Sequence, residues 1–178
     1  MKIENTPELW QIRKAVKPWL NDSAQPVLFG CSGGVDSMAL AVALFMESSN
    51  TKVIPIVIDH GLQEGSAQIT SQTIERLKQI GFNQVESARA QVTMTDGLEA
   101  SARRARYQLF NQFIETYQPK YFLLAHTLND QAENVLLGLA RGSGARSLSG
   151  MAVKNNIFVR PLLKISRELT TAACSEAR

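Results

Sequence analysis

Apolar and polar positions alternate along this chain in blocks whose period switches repeatedly between helical and extended. Leu9, Ile12, Val16, Trp19 and Leu20 recur on one helical face behind Thr6-Pro7, a threonine N-cap with proline at the first helical position, where its missing N–H would be unpaired anyway. Asn21 to Pro26 reads as a turn-rich connection. Val27-Leu28-Phe29 is then a short apolar strand, and Met38 to Met46, rich in alanine and leucine, is a helix. Val53 to Ile58 is β-branched nearly throughout and reads as a second strand; Pro55 at its centre is a mild conflict, tolerable at an edge or a bulge. Ile69 to Ile80 is a helix that Gly81 stops. A weaker strand lies around Val85, and a long helix runs from Leu98 to Tyr117 and ends before Pro119. Phe110, Phe113 and Tyr117 on that helix are expected in the core. Tyr121 to Ala125 is another buried strand, followed by a helix from Asp130 to Leu139 whose Leu136, Leu137 and Leu139 are expected to face the core.

Strands alternating with helices of this length predict an α/β fold, a doubly wound parallel sheet covered on both faces. The near-continuous apolar strands fit burial on both sides. Residues 1–25 form an N-terminal helix and connection, and residues 26–178 the main domain. In such sheets ligands bind beyond the carboxyl ends of the strands. The unusual polar residues fall there: the glycine loop after Phe29, Asp59-His60-Gly61 after the second strand, and His126 after the fourth.

Bulk properties narrow this little. A chain of 178 residues suits one domain with a full core. No apolar run is long enough to cross a bilayer, and Met1 to Trp10 lacks a signal pattern, so a cytoplasmic location is expected. Cys31 and Cys174 form no C-x-x-C pair, which argues against a zinc site and leaves two ordinary thiols. The net charge of +3 is modest, but basic residues cluster at Arg103, Arg104 and Arg106 and again at Arg141 and Arg146.

The strand–loop–helix at Ser32-Gly33-Gly34-Val35-Asp36-Ser37 suits an anion. Glycines allow positive φ and close approach, so amide N–H groups can converge on phosphate oxygens. Ser32 and Ser37 add hydroxyls, and the following helix offers its positive end. Asp36 would repel a bare phosphate; a Mg²⁺ ion resolves the conflict, since it favours one or two carboxylates with phosphate oxygens. The competing explanation is a tight turn in which Asp36 or Ser37 only caps the helix. The loop is neither a Walker A sequence nor a G-x-G-x-x-G fingerprint.

Two further segments carry chemistry. Asp130, Glu133 and Asn134 share a helical face at i, i+3 and i+4. Asp130 reads equally as an N-cap and as a metal or substrate ligand. In Glu99 to Tyr107, Glu99 and Arg103 are placed for an ion pair, and Arg103, Arg106 and Tyr107 share a face. That face is either a solvated basic surface or, beside a nucleotide, a source of charge for developing phosphate oxyanions. Arg141 to Arg146 reads as a basic loop that could track a polynucleotide backbone.

Taken together, S-G-G-V-D-S, D-H-G-L at Asp59 to Leu62, E-A-S-A-R-R-A-R-Y at Glu99 to Tyr107, A-H-T-L-N-D-Q-A-E-N at Ala125 to Asn134 and R-G-S-G-A-R-S-L-S-G-M at Arg141 to Met151 resemble the PP-loop (N-type ATP pyrophosphatase) superfamily, and within it the tRNA(Ile)-lysidine synthetase family. The resemblance runs from about Val27 to Arg167. It implies that ATP adenylates C2 of the wobble cytidine in tRNA(Ile) with a CAU anticodon, and that free lysine then displaces AMP to give lysidine. By the same resemblance Ser32, Gly33, Gly34, Val35, Asp36 and Ser37 bind ATP, Asp36 serves Mg²⁺, and Asp130 serves Mg²⁺ or the binding and activation of lysine. Asp36, Asp130, Arg106 and Arg103 form the catalytic set, the arginines stabilising the charged intermediate. Members are often homodimers. Asn129 and Asn134 depart from the family pattern, which has aspartate and threonine there, and members continue beyond the position of Arg178. The chain is therefore expected to be either the N-terminal catalytic part of such an enzyme or a shortened relative. A non-catalytic nucleotide- or tRNA-binding module, or another PP-loop tRNA-modifying enzyme, is the alternative.

Overall fold

The computed structural model describes residues 4–20, 24–59, 61, 65–91, 97–140, 142 and 149–175, the side chains of Glu99 and Ser175 excepted. Thr6 does cap α1 (Pro7–Val16), its hydroxyl accepting the Leu9 N–H at 3.2 Å, and a short 3₁₀ turn, Lys17–Trp19, follows. The remaining helices are α2 (Val35–Glu47), α3 (Ser66–Ile80), α4 (Leu98–Tyr117), α5 (Leu128–Ala140) and α6 (Arg167–Ser175). Gly81, at φ 127°, ends α3 by donating its N–H to the Leu77 and Lys78 carbonyls.

The strands are β1 (Val27–Gly30), β2 (Val53–Asp59), β3 (Glu86–Arg89), β4 (Tyr121–Leu123), β5 (Lys154–Asn155) and β6 (Phe158–Val159). They form one sheet in the order β3-β2-β1-β4-β6-β5, parallel except for the β5–β6 hairpin. This is the doubly wound sheet expected. The sequence pattern predicts neither the hairpin, whose two-residue strands show no periodicity, nor α6.

Pro55 neither bulges β2 nor lies in an edge strand. The Lys52 and Ile56 carbonyls accept from Val27 and Cys31 of the β1 segment, so even-numbered residues face β1 and Pro55 turns its nitrogen the other way. Pairing with β3 begins only at Ile56↔Glu86, so no partner meets the missing N–H.

Side-chain alternation along the strands divides the core. Val27 and Phe29 pack with Leu40, Leu44, Leu77 and Leu162 on the face covered by α1, α2, α3 and α6. Leu28, Ile54, Ile56 and Phe122 pack under Phe110 of α4 on the other, with Phe113 and Tyr117 against them. Each such aliphatic side chain removed from water contributes about 1.5–3 kcal/mol. Leu9, Ile12 and Val16 of α1 belong to the first cluster, so the N-terminal helix packs into the same core as the sheet.

One expectation is corrected. Leu136, Leu137 and Leu139 do not reach the core: they are 65%, 53% and 48% exposed, and α5 has no buried residue. Helical spacing shows that residues share a face but not what the face meets. No helix among the described residues is long and apolar enough to cross a membrane.

The topology fixes where a ligand can sit. From β1 the chain winds through β2 to β3 on one side, then returns to place β4 on the other side of β1. The strand order reverses at the carboxyl ends of β1 and β4, the switch point at which open α/β sheets bind ligands.

Candidate nucleotide-binding site

A cleft of about 190 Å³ opens at that switch point. The loop Cys31 to Ser37 forms one wall, Arg106, Tyr107 and Phe110 of α4 the opposite wall, and Leu124, Ala125 and His126 beyond β4 the end. Ile56 and Ile58 of β2 supply an apolar floor.

The loop is organised by its own serines. Ser37 Oγ donates to the Gly34 carbonyl at 2.8 Å, accepts the Ser32 N–H at 3.2 Å and lies 3.3 Å from Ser32 Oγ. Gly33 has φ 81°, and a Cβ there would stand 2.3 Å from Thr73 Oγ1 of α3. Gly34 is the N-cap residue of α2, with no side-chain hydrogen bond capping the helix. Neither Asp36 nor Ser37 caps α2, so the capping half of the competing explanation does not hold, while Ser37 does hold the turn; the amino end of α2 lies in the cleft wall without a side-chain cap.

Asp36 instead reaches α6. Its Oδ1 accepts from the Thr170 hydroxyl, and its Oδ2 meets Arg167 Nε at 3.4 Å. Arg167 Nη2 donates to Asp130 Oδ1 at 2.9 Å, and Nη1 lies 3.7 Å from Glu133 Oε1. The second oxygen of Asp130 accepts from the Thr127 N–H at 2.7 Å and the Thr127 hydroxyl at 3.0 Å. Asp130 therefore lies within the first turn of α5 and reaches back to the residue before it, rather than being the N-cap itself. Asn129 Oδ1 accepts the Arg167 backbone N–H at 2.9 Å and so pins the start of α6. Asp36 and Asp130, expected together, thus converge on one guanidinium.

Of the basic helix, Arg106 lines the cleft and Arg103 does not. Burial pulls the Arg106 guanidinium below its ordinary pKa, with Arg103 acting in the same direction; it remains a cation. Arg103 is exposed and stacks over Tyr107, its guanidinium carbon 5.0 Å from the ring centre. Glu99's side chain, Arg141, Arg146, His60 and Leu62 lie outside the described residues. Asp59 turns to its own loop, accepting the Gly61 N–H at 2.9 Å and pairing with Arg89 at 3.8 Å.

His126 forms the polar end of the cleft. Its Nδ1 is buried without a hydrogen-bond partner among the described residues. Burial first, then the positive charge of Arg160, lowers its pKa to about 4, so the imidazole is neutral at neutral pH. Arg160, Arg167 and Thr170 were not singled out from the sequence. They stand in the segment after β6, which has no glycine loop or charge cluster to mark it.

The donor set fits a nucleotide with a divalent cation. The uncapped loop and Arg106 suit phosphates, and His126 Nδ1 awaits a polar partner. Asp36 and Asp130 are hard oxygen ligands already gathered around a positive group.

Comparison with known proteins agrees with this geometry. The PP-loop domain matches residues 7–178. The chain is 40% identical to a tRNA(Ile)-lysidine synthase of Rhodococcus jostii over 99% of its length and 53% of that protein's. It is 44% identical to one of Streptomyces coelicolor over 97% of its length and 48% of that protein's. It thus spans about half the length of the curated relatives it matches. Among solved structures, the U34-tRNA thiolase NcsA of Methanococcus maripaludis superposes with a TM-score of 0.76 at 16% identity, over 95% of this chain and 64% of that one. An NH3-dependent NAD synthetase from Campylobacter jejuni superposes at 0.57 and 14% identity, over 94% and 71%. These last two likenesses concern the fold alone. With the phosphate loop at the switch point and the domain matched from Pro7 to the last residue, the chain belongs to the PP-loop domain family.

Proposed function

We propose that the protein carrying this chain uses ATP to adenylate C2 of the wobble cytidine of tRNA(Ile) with a CAU anticodon, releasing pyrophosphate, and then joins free lysine to that carbon with loss of AMP, as a carbon–nitrogen ligase acting in the cytoplasm. The observation that carries the reading is the cleft itself, an uncapped phosphate loop facing Arg106 beside the Asp36–Arg167–Asp130 cluster. The names of the relatives at 40–44% identity supply the substrate.

In this reading the N–H groups of Gly33 to Ser37 cradle the polyphosphate, and the apolar floor of Ile56 and Ile58 receives the base. Arg106 faces the phosphates from α4 and stabilises charge gathering on the α-phosphate during in-line attack. Arg103 adds field rather than contact, since its charge already acts on Arg106 and His126. Asp36 and Asp130 hold Mg²⁺, which neutralises phosphate charge when bound. Glu133 shares a face of α5 with Asp130 and reaches the same guanidinium, which supports a role for the two in receiving the ammonium of lysine.

The test is incubation of the protein with ATP, Mg²⁺, lysine and unmodified tRNA(Ile), followed by mass analysis of nucleosides and of the nucleotide product. Lysidine and AMP are expected. The Asp36→Ala variant should lose product formation by about a hundredfold or more while melting within a few degrees of the wild type, because Asp36 sits at the surface end of α2 and not in the core. ADP as the product overturns the reading. ATP binding with no product at all favours the non-catalytic module instead.

A further inference from the structure

Each of the two aspartates of the cluster has one oxygen held by neutral donors and one turned to Arg167. Thr170 fixes Asp36 Oδ1, and Thr127 fixes Asp130 Oδ2 through its N–H and its hydroxyl. Asp36 Oδ2 and Asp130 Oδ1, the two oxygens left over, both point at the guanidinium. Glu133 meets its third nitrogen. Three anionic side chains from α2 and α5 would repel one another without a cation among them. The pKa of Arg167 is raised above its ordinary value, chiefly by Asp130, so the cation is permanent.

The guanidinium is nevertheless removable. Its side chain is 44% exposed, and the backbone that carries it is anchored independently by Asn129. Exposed ion pairs are weak individually, and an arginine released from carboxylates finds an equal or better bidentate partner in a phosphate. The phosphate loop lies directly beside it, since Asp36 belongs to both groups.

We propose that Arg167 is a placeholder for the divalent cation: it occupies the position between Asp36 and Asp130 in the nucleotide-free protein, excludes free metal, and yields when metal arrives on the phosphates of a nucleotide. The proposal rests on the reading that the cleft takes a nucleotide with a divalent cation. Metal alone must displace a cation with several partners and gains only two carboxylates. Metal carried by a nucleotide brings the loop and Arg106 into the balance, and leaves the displaced guanidinium with phosphate oxygens to bind.

The test is Mn²⁺ retained by the purified chain in equilibrium dialysis, with and without α,β-methylene ATP on both sides of the membrane, so that metal held by the analogue alone cancels. Wild type should take up Mn²⁺ weakly alone and tightly with the analogue. Arg167→Gln should bind Mn²⁺ alone about tenfold more tightly than wild type, the order expected for removing one partly screened charge a few ångströms away. The enhancement by the analogue should shrink to match. Arg167→Lys, which keeps the charge but loses the fork, should fall between the two, and it carries the test if the glutamine variant does not fold. Unchanged or weaker Mn²⁺ binding in a variant that melts like wild type overturns the proposal, weaker binding identifying Arg167 as a support for the carboxylates instead. If wild type takes up no Mn²⁺ even with the analogue, the nucleotide–metal reading fails and the placeholder with it.

Discussion

His126 is held in a state that water would not choose. Its Nδ1 is buried at the end of the cleft with Arg160 nearby, and its pKa falls to about 4 from an ordinary 6.5. Between those values the unfolded chain binds a proton that the native protein refuses. Stability from this group is therefore complete above pH 6.5, declines as the pH falls towards 4, and changes no further below that. The full loss is about 3 kcal/mol. Urea midpoints measured from pH 7 to 4 should fall more steeply for wild type than for His126→Gln, which cannot titrate; parallel curves would show that the imidazole is not buried as described.

At the scale of elements, the glycine loop depends on α3 as well as on its own glycines. Gly33 combines a left-handed φ of 81° with a Cβ position 2.3 Å from Thr73 Oγ1, and that hydroxyl is itself held by the Ile69 carbonyl at 2.8 Å. Gly33→Ala should cost about 1–3 kcal/mol. In a Thr73→Ala background the contact is gone and only the backbone strain remains, so the cost should be smaller by a measurable margin. Equal losses in the two backgrounds, by urea unfolding, would place the whole effect in φ and none in α3. The glycine motif was visible in the sequence; its packing partner, forty residues further on, was not. The same divide separates α4, whose bounds Leu98 to Tyr117 follow from local pattern and the coming Pro119, from α5, whose leucines share a face that the core never covers.

For the molecule as a whole, α1 is a structural member of the domain. Ile12 is fully buried in the cluster that also holds Val27, Phe29 and Leu40. Ile12→Ala should lower unfolding stability by about 2–5 kcal/mol, read from the urea midpoint. A loss under about 0.5 kcal/mol, the range of surface changes, would mean that α1 docks without contributing. Packing of this first helix, α2 and α6 on one face of the sheet also sets the site, since α6 carries Arg167 and Thr170 to Asp36. The amino-acid sequence determined what depends on neighbours along the chain: the alternation of strand and helix, the glycine loop that needs positive φ, and the polar residues left where strands end. Tertiary structure alone decided the strand order, the burial of His126 Nδ1, the exposure of α5 and the meeting of Asp36, Asp130 and Arg167 on three different helices. Charges and hydroxyls brought together from distant segments leave no periodic trace, because their spacing in sequence is set by the path of the chain around the sheet and not by the chemistry they share.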